Sequence, residues 1–418
     1  MKKIIKITVL LLIINSTFLI HYCFSQWIQQ QSGTNRHLWA VEFVNTNTGI
    51  AVGFGGVILR TTNAGFNWIL HTYSDTNDLF DVHMINTNTG IAVGRRGTII
   101  KTTNGGINWI GPLTSPTNDY LYSVDFINEN TGFSIGSVII RTTDGGSNWS
   151  LVNNVPIYGT YLYDITFFNE NTGFTVGEEW PSNFSTVIRT TNGGENWIRL
   201  GGIPGLGIWF FCVAFADVNT VVAGGDAGFI IRSTNQGMSW TYQFVGGNTL
   251  RSVVFPNSNV GYAVGGTGRI IKTTNSGVNW TIQSSGANNH LQSVSFTDTL
   301  NGTVVGHFGT ILRTTNGGVS NIKLSNNELP KDYYLSQNYP NPFNSQTTIE
   351  FDIKKKGNYS LVIYDCLGRK RDEVFNEYLN AGSYSVNFNG DELQSGVYFY
   401  RLSADGNAVE TRKMVLVK

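Results

Sequence analysis

The chain has 418 residues, with 28 lysines and arginines against 28 aspartates and glutamates, and only 13% of its residues are charged. That length exceeds one ordinary domain, and a formal charge of zero leaves neither a basic field for a nucleic-acid backbone nor a charged interaction tail. Abundant glycine beside little proline suits short strands joined by tight turns, and predicts an all-β chain.

Lys2, Lys3 and Lys6 precede an apolar run from Ile7 to Ile20, and Cys23-Phe24-Ser25 offers small residues on the near side of a cleavage point. Residues 1–25 therefore read as an export signal peptide, cut between Ser25 and Gln26. A lipoprotein anchor at Cys23 is the rival reading, and bulky Tyr22 before it argues against it. No later stretch approaches the roughly 20 apolar residues that span a bilayer as a helix, so no transmembrane segment is expected in the mature chain. Cys212 and Cys366 survive cleavage in different domains and read as isolated thiols. Packing has to stabilise such a fold.

From residue 26 onward the sequence repeats itself. Asn63, Gly65 and Trp68 recur as Asn104, Gly106 and Trp109, as Asp144, Gly146 and Trp149, and in the turns before Trp197, Trp240 and Trp280. These tryptophans lie 41, 40, 48, 43 and 40 residues apart. That is the period of propeller blades, because one four-stranded sheet cannot bury both its faces alone. In the first unit Leu38 to Phe43 alternates as a strand, Asn45 to Gly49 turns, and Ile50 to Gly53 is a short apolar strand. Phe54-Gly55-Gly56 turns again, Val57 to Thr62 is a third strand, and Asn63 and Gly65 form the hairpin before Trp68 opens the fourth. The Asn or Asp side chain accepts N–H groups ahead of it, Gly supplies a torsion other residues resist, and Trp fills the gap between blades.

First strands begin near Leu38, Leu79, Leu121, Leu162, Phe210, Leu250 and Leu291. The seventh unit reaches Asn321 where Trp is expected, yet Trp27 to Gly33 matches Trp280 to Gly286, and Trp27 stands 41 residues before Trp68. The N-terminal strand is thus expected to complete the last sheet and remove an open edge. Residues 26–320 are predicted to form a seven-bladed β-propeller closed by that strand.

The recurring turn resembles the Asp-box of sialidase-type propellers, which implies a structural turn away from any active site. The whole 26–320 region also resembles the photosystem II stability and assembly factor propellers, whose units carry the pattern seen in Ile140-Arg141-Thr142-Thr143-Asp144-Gly145-Gly146. This implies the fold and says little about role, since such repeats occur in many exported bacterial proteins.

Residues 321–331 are polar and form the expected linker. Beyond it Tyr339-Pro340-Asn341-Pro342-Phe343-Asn344 leads into a strand from Thr347 to Ile353, and a second runs from Tyr359 to Tyr364. Asp365 to Arg369 turns at Gly368, and Ser395-Gly396 opens a run to Leu402 before the chain ends at Lys418. Turns about ten residues apart predict a small immunoglobulin-like β-sandwich over 332–418. In order and along their full length, these motifs resemble the type A sorting domain of the type IX secretion system. The resemblance implies that Pro340, Pro342, Gly368, Gly396 and Lys418 belong to a sorting signal. It further implies passage through the periplasm and across the outer membrane by the type IX machinery, then removal of the domain by a sortase-like peptidase. The cargo is then released or attached to surface lipopolysaccharide. An accessory adhesive module is the alternative.

A residue kept in every blade does a job every blade has, so individual function is expected where the copies differ. Arg60, Lys101, Arg141, Arg189, Arg232, Lys272 and Arg313 share one repeat position and read as turn-capping or inter-blade partners rather than a catalytic cluster. The loops joining second to third strands, and those joining successive blades, share a face. Its candidate binding residues are Arg95, Arg96, Tyr120, Tyr158, Glu178, Glu179, Trp180, Trp209, Asp226 and His307. A glycosidase needs two carboxylates about 5–5.5 Å or 6.5–9.5 Å apart. Glu178, Glu179 and Asp226 share the face, but Glu178 and Glu179 point oppositely on an extended chain. The sequence has no zinc-ligand spacing, phosphate loop or nucleophile elbow, and His37, His83, His290 and His307 read as satisfied polar residues. No cofactor, metal or catalytic residue is therefore assigned. The sequence reads as a surface or secreted module that binds a glycan or a surface protein, the alternative being a secreted glycan hydrolase of sialidase-like or xyloglucanase-like propeller type.

Overall fold

The computed structural model describes residues 27–418 apart from 74, 75, 154, 158, 181–183, 201–206, 319–321, 327–329, 380, 391 and 392. The signal peptide and Tyr158 lie outside the described residues. The described chain divides into two compact units, 27–323 and 324–418. Among its residues, no helix is long and apolar enough to cross a membrane.

Among the described residues the first unit comprises seven antiparallel sheets. The first sheet runs Leu38–Phe43, Gly49–Gly53, Val57–Thr61 and Ile69–Thr72, in that spatial order. The innermost strands of the following sheets are Leu79–Met84, Leu121–Phe126, Thr160–Phe167, Phe210–Phe215, Leu250–Val254 and Leu291–Phe296. In the second sheet a single bridge between Lys101 and Ile110 stands where the others have a fourth strand. The outer strand of the seventh sheet is Ile28–Gln30, which pairs Ile28 with Arg313 and Gln30 with Ile311. Each second strand, such as Gly49–Gly53 or Gly90–Gly94, is buried along its whole length, except that Gly173–Glu179 ends in half-buried Glu178 and Glu179. These strands accordingly read as continuous apolar runs rather than alternating ones.

The innermost strand of each sheet has one neighbour only, so half of its backbone N–H groups need other partners. Side chains of the preceding sheet supply them. Met84 N–H donates to Glu42, Val124 N–H to Asp81, Phe167 N–H to Asp125 and Val213 N–H to Asp164, all within 2.6–2.9 Å. Val294 N–H donates to the Ser252 hydroxyl at 3.3 Å. The same relation links the seventh sheet to the first, where Val41 and Phe43 N–H donate to Ser293 and Ser295 at 3.2 and 3.1 Å.

The turn that follows the third strand is built alike from sheet to sheet. Thr61 Oγ1 donates to Asn63 Oδ1 and accepts from Gly65 N–H, while Asn63 Oδ1 also accepts from Asn67 N–H. In the third sheet Asp144 takes the Asn role, accepting from Thr142 Oγ1 and Asn148 N–H, while Thr142 Oγ1 accepts from Gly146 N–H. The second glycine of the turn is required on two counts. Gly106 has φ +79°, and a Cβ there would stand 2.4 Å from Ile50 Cδ1 of the first sheet. The tryptophan after it packs edge-on against the last aromatic of its own inner strand, Trp68 on Phe43 and Trp149 on Phe126. Trp27 does the same with Phe296 at 5.8 Å, is 1% exposed, and donates from Nε1 to Gln283.

The cation series reaches into the next sheet's hairpin. Arg60 donates to Gly105 O, Arg189 to Gln236 O, Arg232 to Ser276 O and Lys272 to Gly317 O, at 2.7–2.8 Å. These four cations thus meet carbonyl groups of a neighbouring turn, while Lys101 donates to the Ser147 hydroxyl and Arg313 lies over the Phe66 ring, at 3.0 and 4.2 Å.

Two further four-stranded sheets follow, one of them with an edge strand, Ile322–Asn326, that begins two residues before the 323/324 boundary. One has the order Ile322–Asn326, Gly382–Asn389, Gln346–Ile353, Tyr334–Leu335, and the other Lys370–Leu379, Gly357–Asp365, Gly396–Ala404, Asn407–Leu416. Ile322–Asn326 lies within the stretch read from sequence as a linker. Phe351 of one sheet stacks on Phe375 of the other at 5.0 Å. The Pro340 carbonyl accepts from Asn338 and Thr347, and Phe343, just past Pro342, is buried. Gly368 turns the chain at φ +74°, Gly396 opens a central strand, and Lys418 N–H donates to Ser395. Cys212 is buried and Cys366 exposed, both as free thiols.

Trp27→Ala is expected to destabilise the protein by about 3–5 kcal/mol, as other large core truncations do. Chemical denaturation giving equal stability for variant and parent would remove Trp27 from the core. The inner-strand carboxylates set a pH dependence. Glu42 and Asp125 keep 28% and 18% of their side-chain surface accessible, but protein surrounds them, and poor solvation dominates. Burial first of all pushes Glu42 and Asp164 up to about 8 and Asp81 and Asp125 up to about 6, against the pull of their N–H donors. A raised folded pKa gives stability that is complete below the ordinary carboxylate range and is lost as pH rises through about 6 and then about 8. Asp144, held down to about 2 by Asn148, acts oppositely and loses its contribution as pH falls. Melting temperature is therefore expected to peak near about pH 5 and decline toward about pH 9, with a flatter alkaline arm in Asp164→Asn.

Candidate functional site

Every inner strand carries one bulge at the same place. In the first sheet the register shifts between Leu38 and Ala40, leaving Trp39 without a cross-strand partner. The equivalent residues are Phe80, Tyr122, Tyr163, Phe211, Arg251 and Gln292. The bulge is made possible by the glycine opposite it in each second strand. A Cβ on Gly53 would stand 2.1 Å from the His37 carbonyl, and one on Gly136 still closer to that of Tyr120. A bulge re-aims the side chain it carries. Here it turns seven side chains toward one another.

Their rings follow in sequence: Trp39 to Phe80 at 6.2 Å, Phe80 to Tyr122 at 5.5 Å, Tyr122 to Tyr163 at 5.2 Å and Tyr163 to Phe211 at 5.0 Å. The Arg251 guanidinium lies over Phe211 at 4.1 Å. Gln292 meets His307 Nε2 at 2.8 Å, and the His307 ring stands 5.5 Å from Trp39. Five aromatics, one cation and one amide thus gather at a strand position that differs from repeat to repeat. Around His307 sit His37 at 4.3 Å and His290 at 5.1 Å. Burial, with those two rings and Arg251 nearby, pushes His307 down to about 4, so it is neutral near neutral pH.

Beside Tyr122 and Tyr163 opens a cavity of about 630 Å³, lined also by Asn118, Asp119, Tyr120, Ser137, Tyr161 and Glu178. Burial foremost, and then Glu178 against its hydroxyl, raises the Tyr163 pKa well above the ordinary phenol value. The Asp119 carboxylate accepts from Ser137, and the Arg95 guanidinium lies 5.8 Å from the Tyr120 ring.

The residues expected on the variable face fall into distinct places. Tyr120 and Glu178 line the cavity, Arg95 edges it, and His307 belongs to the ring. Asp226 accepts from Thr249 beside Arg251, and its N–H donates to the carbonyl of half-buried Trp209. Arg96 is exposed at φ +57°, in the middle of a short turn. Glu178 and Glu179 are not turn residues as expected. The strand Gly173–Glu179 continues through both, because Tyr161 and Thr160 pair with them on one side and Ser185 and Phe184 on the other. They diverge as an extended chain requires: Glu178 faces the cavity, and Glu179 forms an ion pair with Arg199. Trp180 follows in the turn, 63% exposed. The bulge residues themselves escaped the sequence reading. Their signal was the variable position after each leading Leu or Phe.

Comparison with known proteins follows the two units. Residues 337–418 match the secretion system C-terminal sorting domain, and residues 68–156 match the photosynthesis system II assembly factor YCF48 family. No curated protein matches by sequence. Among solved structures, YCF48 bound to D1 peptide is similar with a TM-score of 0.59 at 17% identity, over 70% of this chain and 97% of that one. YCF48 from Cyanidioschyzon merolae gives 0.57 at 18% identity, over 69% and 98%. PorZ, a surface component of the type-IX secretion system of Porphyromonas gingivalis, gives 0.53 at 14% identity, over 93% of this chain and 60% of PorZ. At these identities the likeness speaks for the propeller fold alone. The chain is thus a YCF48-like propeller followed by a secretion-system sorting domain, and that domain marks it for the cell surface or the medium.

Proposed function

We propose that this protein is an exported, non-catalytic recognition module that binds a surface polypeptide or glycan at the ring of bulge residues. In this reading the seven sheets are seven blades, and Ile28–Gln30 closes them into one propeller. The hydrogen bonds from Val41 and Phe43 to the seventh sheet favour closure. The second unit is read as an immunoglobulin-like sandwich that the type IX machinery recognises and its sortase-like peptidase removes.

One observation carries the binding role: the bulge position, whose residue changes from sheet to sheet, delivers all seven of its side chains to one place. Aromatic rings with a few convergent polar groups are what recognition sites are made of. The likenesses add support, since one neighbour is described with a bound peptide and another as a surface component of a secretion system.

The test is capture of cell-surface polypeptides and glycans by the mature protein, compared with Phe211→Ala and with Ile107→Ala in a hairpin of the opposite strand ends. Phe211→Ala is expected to weaken capture about tenfold or more and Ile107→Ala to leave it unchanged. Equal loss in both, or in neither, would move the site elsewhere. Hydrolysis of a polysaccharide panel that disappears in a Glu178→Gln, Asp226→Asn double variant would establish the hydrolase instead. Deleting 332–418 is expected to hold the protein in the periplasm, as read by immunoblot of cell fractions.

A further inference from the structure

We propose that the tyrosine-lined cavity receives the cationic end of a lysine or arginine side chain presented by a partner polypeptide. The inference rests on the recognition reading above and assigns the chemistry of one part of that site.

Tyr120, Tyr122, Tyr161 and Tyr163 give the cavity four aromatic walls, and among the described residues Asp119 and Glu178 are its charged lining groups. Ring faces carry negative potential, and a cation held among several of them is attracted without losing the contact of its alkyl stem. Two carboxylates add charge of the same sign to that potential. An anionic ligand would meet repulsion from every charged wall. A neutral sugar gains from stacking but leaves both carboxylates uncompensated.

A second observation points the same way. Glu178 Oε2 is shut away with no donor of its own, although the Tyr163 hydroxyl engages the same carboxylate. Such an oxygen is costly to leave unmatched, and an entering N–H donor supplies the missing bond. The protein's own guanidinium groups nearby are otherwise engaged: Arg199 pairs with Glu179, and Arg251 stacks on Phe211. At the rim, Arg95 already lies against Tyr120, which shows a guanidinium attracted to a ring of this cavity. The hydroxyls of Tyr122 and Tyr163 stay protonated across the physiological range, so they neither add nor withdraw charge there. The cavity also exceeds what one ammonium needs, which suits a side chain that enters with part of its backbone.

The experiment uses the mature full-length protein and short capped peptides, read by saturation-transfer NMR and by calorimetry. Gly-Lys-Gly and Gly-Arg-Gly peptides are expected to bind at least about tenfold more tightly than Gly-norleucine-Gly, which keeps the stem and lacks the charge, and than Gly-Glu-Gly. Glu178→Gln, which keeps shape and loses charge, is expected to reduce lysine-peptide binding about tenfold with an unchanged melting temperature. Tyr122→Leu should weaken it as well, through loss of a ring face. Norleucine and lysine peptides binding equally, Glu178→Gln binding like the parent, or neither cationic peptide binding at about 10 mM would each overturn the proposal. Putrescine binding as tightly as the lysine peptide would overturn the polypeptide source and leave a small polyamine in its place. Capture of surface components that is lost in Phe211→Ala, beside peptides that do not bind, would sink this inference alone. Cationic peptides bound by a protein whose surface capture survives Phe211→Ala would sink only the ring.

Discussion

The inner edge of each innermost strand is the constraint around which the first unit is arranged. Backbone N–H groups along that edge have no further strand to meet, and a buried donor left alone costs more than a typical hydrogen bond contributes. The chain meets this with side chains at the third and fifth positions of the inner strand, which accept from the N–H groups of the next sheet. Serine suffices between the sixth and seventh sheets and again between the seventh and first. Carboxylates serve among the first five. Between the fifth and sixth sheets Cys212 and Ala214 take those positions, and the seam is apolar, filled by Leu250 and Val253. Because different side chains answer the same need, the inner strand tolerates variety that a backbone ladder would not.

That arrangement leaves the second position of the strand free. The bulge takes it out of the ladder, and no neighbouring N–H depends on it. The opposite strand ends have no such freedom: the Thr–Asn–Gly hairpin, its tryptophan and the cation that bonds the adjacent turn all answer to neighbours on both sides. One end of each sheet is therefore tied to structure, and the other is available for recognition.

This division decides what was legible in the sequence. The repeat, the outer strand at Trp27 and the shared role of the Arg and Lys series were readable, because each is a copy compared with its own siblings. Alternation alone gives Glu178 and Glu179 diverging directions, but the turn expected there is a continued strand, and they extend a hairpin. The ring was not readable. Strict alternation puts Trp39 on the same side as Val41 and Phe43, and only the shift between Leu38 and Ala40 breaks that parity. The glycine that permits the shift, Gly53, lies in another strand, where it looks like an ordinary strand end. The latch carboxylates were equally hidden, since Asp81 or Asp164 in an alternating strand reads as a solvent-facing residue. Their partners are backbone groups some forty residues ahead, and a side-chain pattern carries no trace of these.

The one large departure from the repeat period has a structural consequence at this site. Most of the excess in the 48-residue interval between Trp149 and Trp197 lies in a single hairpin, where Gly173–Glu179 and Phe184–Thr190 run longer than the corresponding strands of any other sheet in the first unit. Its extra rungs pair Glu178 with Tyr161 and Glu179 with Thr160, which lifts Tyr161 and Glu178 into one wall of the cavity. An enlarged surface hairpin costs little in loop closure, because that entropy grows only logarithmically with length. It does leave Trp180 63% exposed at its end, and an exposed tryptophan is a burden for a protein outside the cell unless something covers it. The insertion therefore adds a wall, a carboxylate and an apolar contact on the side of the ring where the aromatic residues are densest.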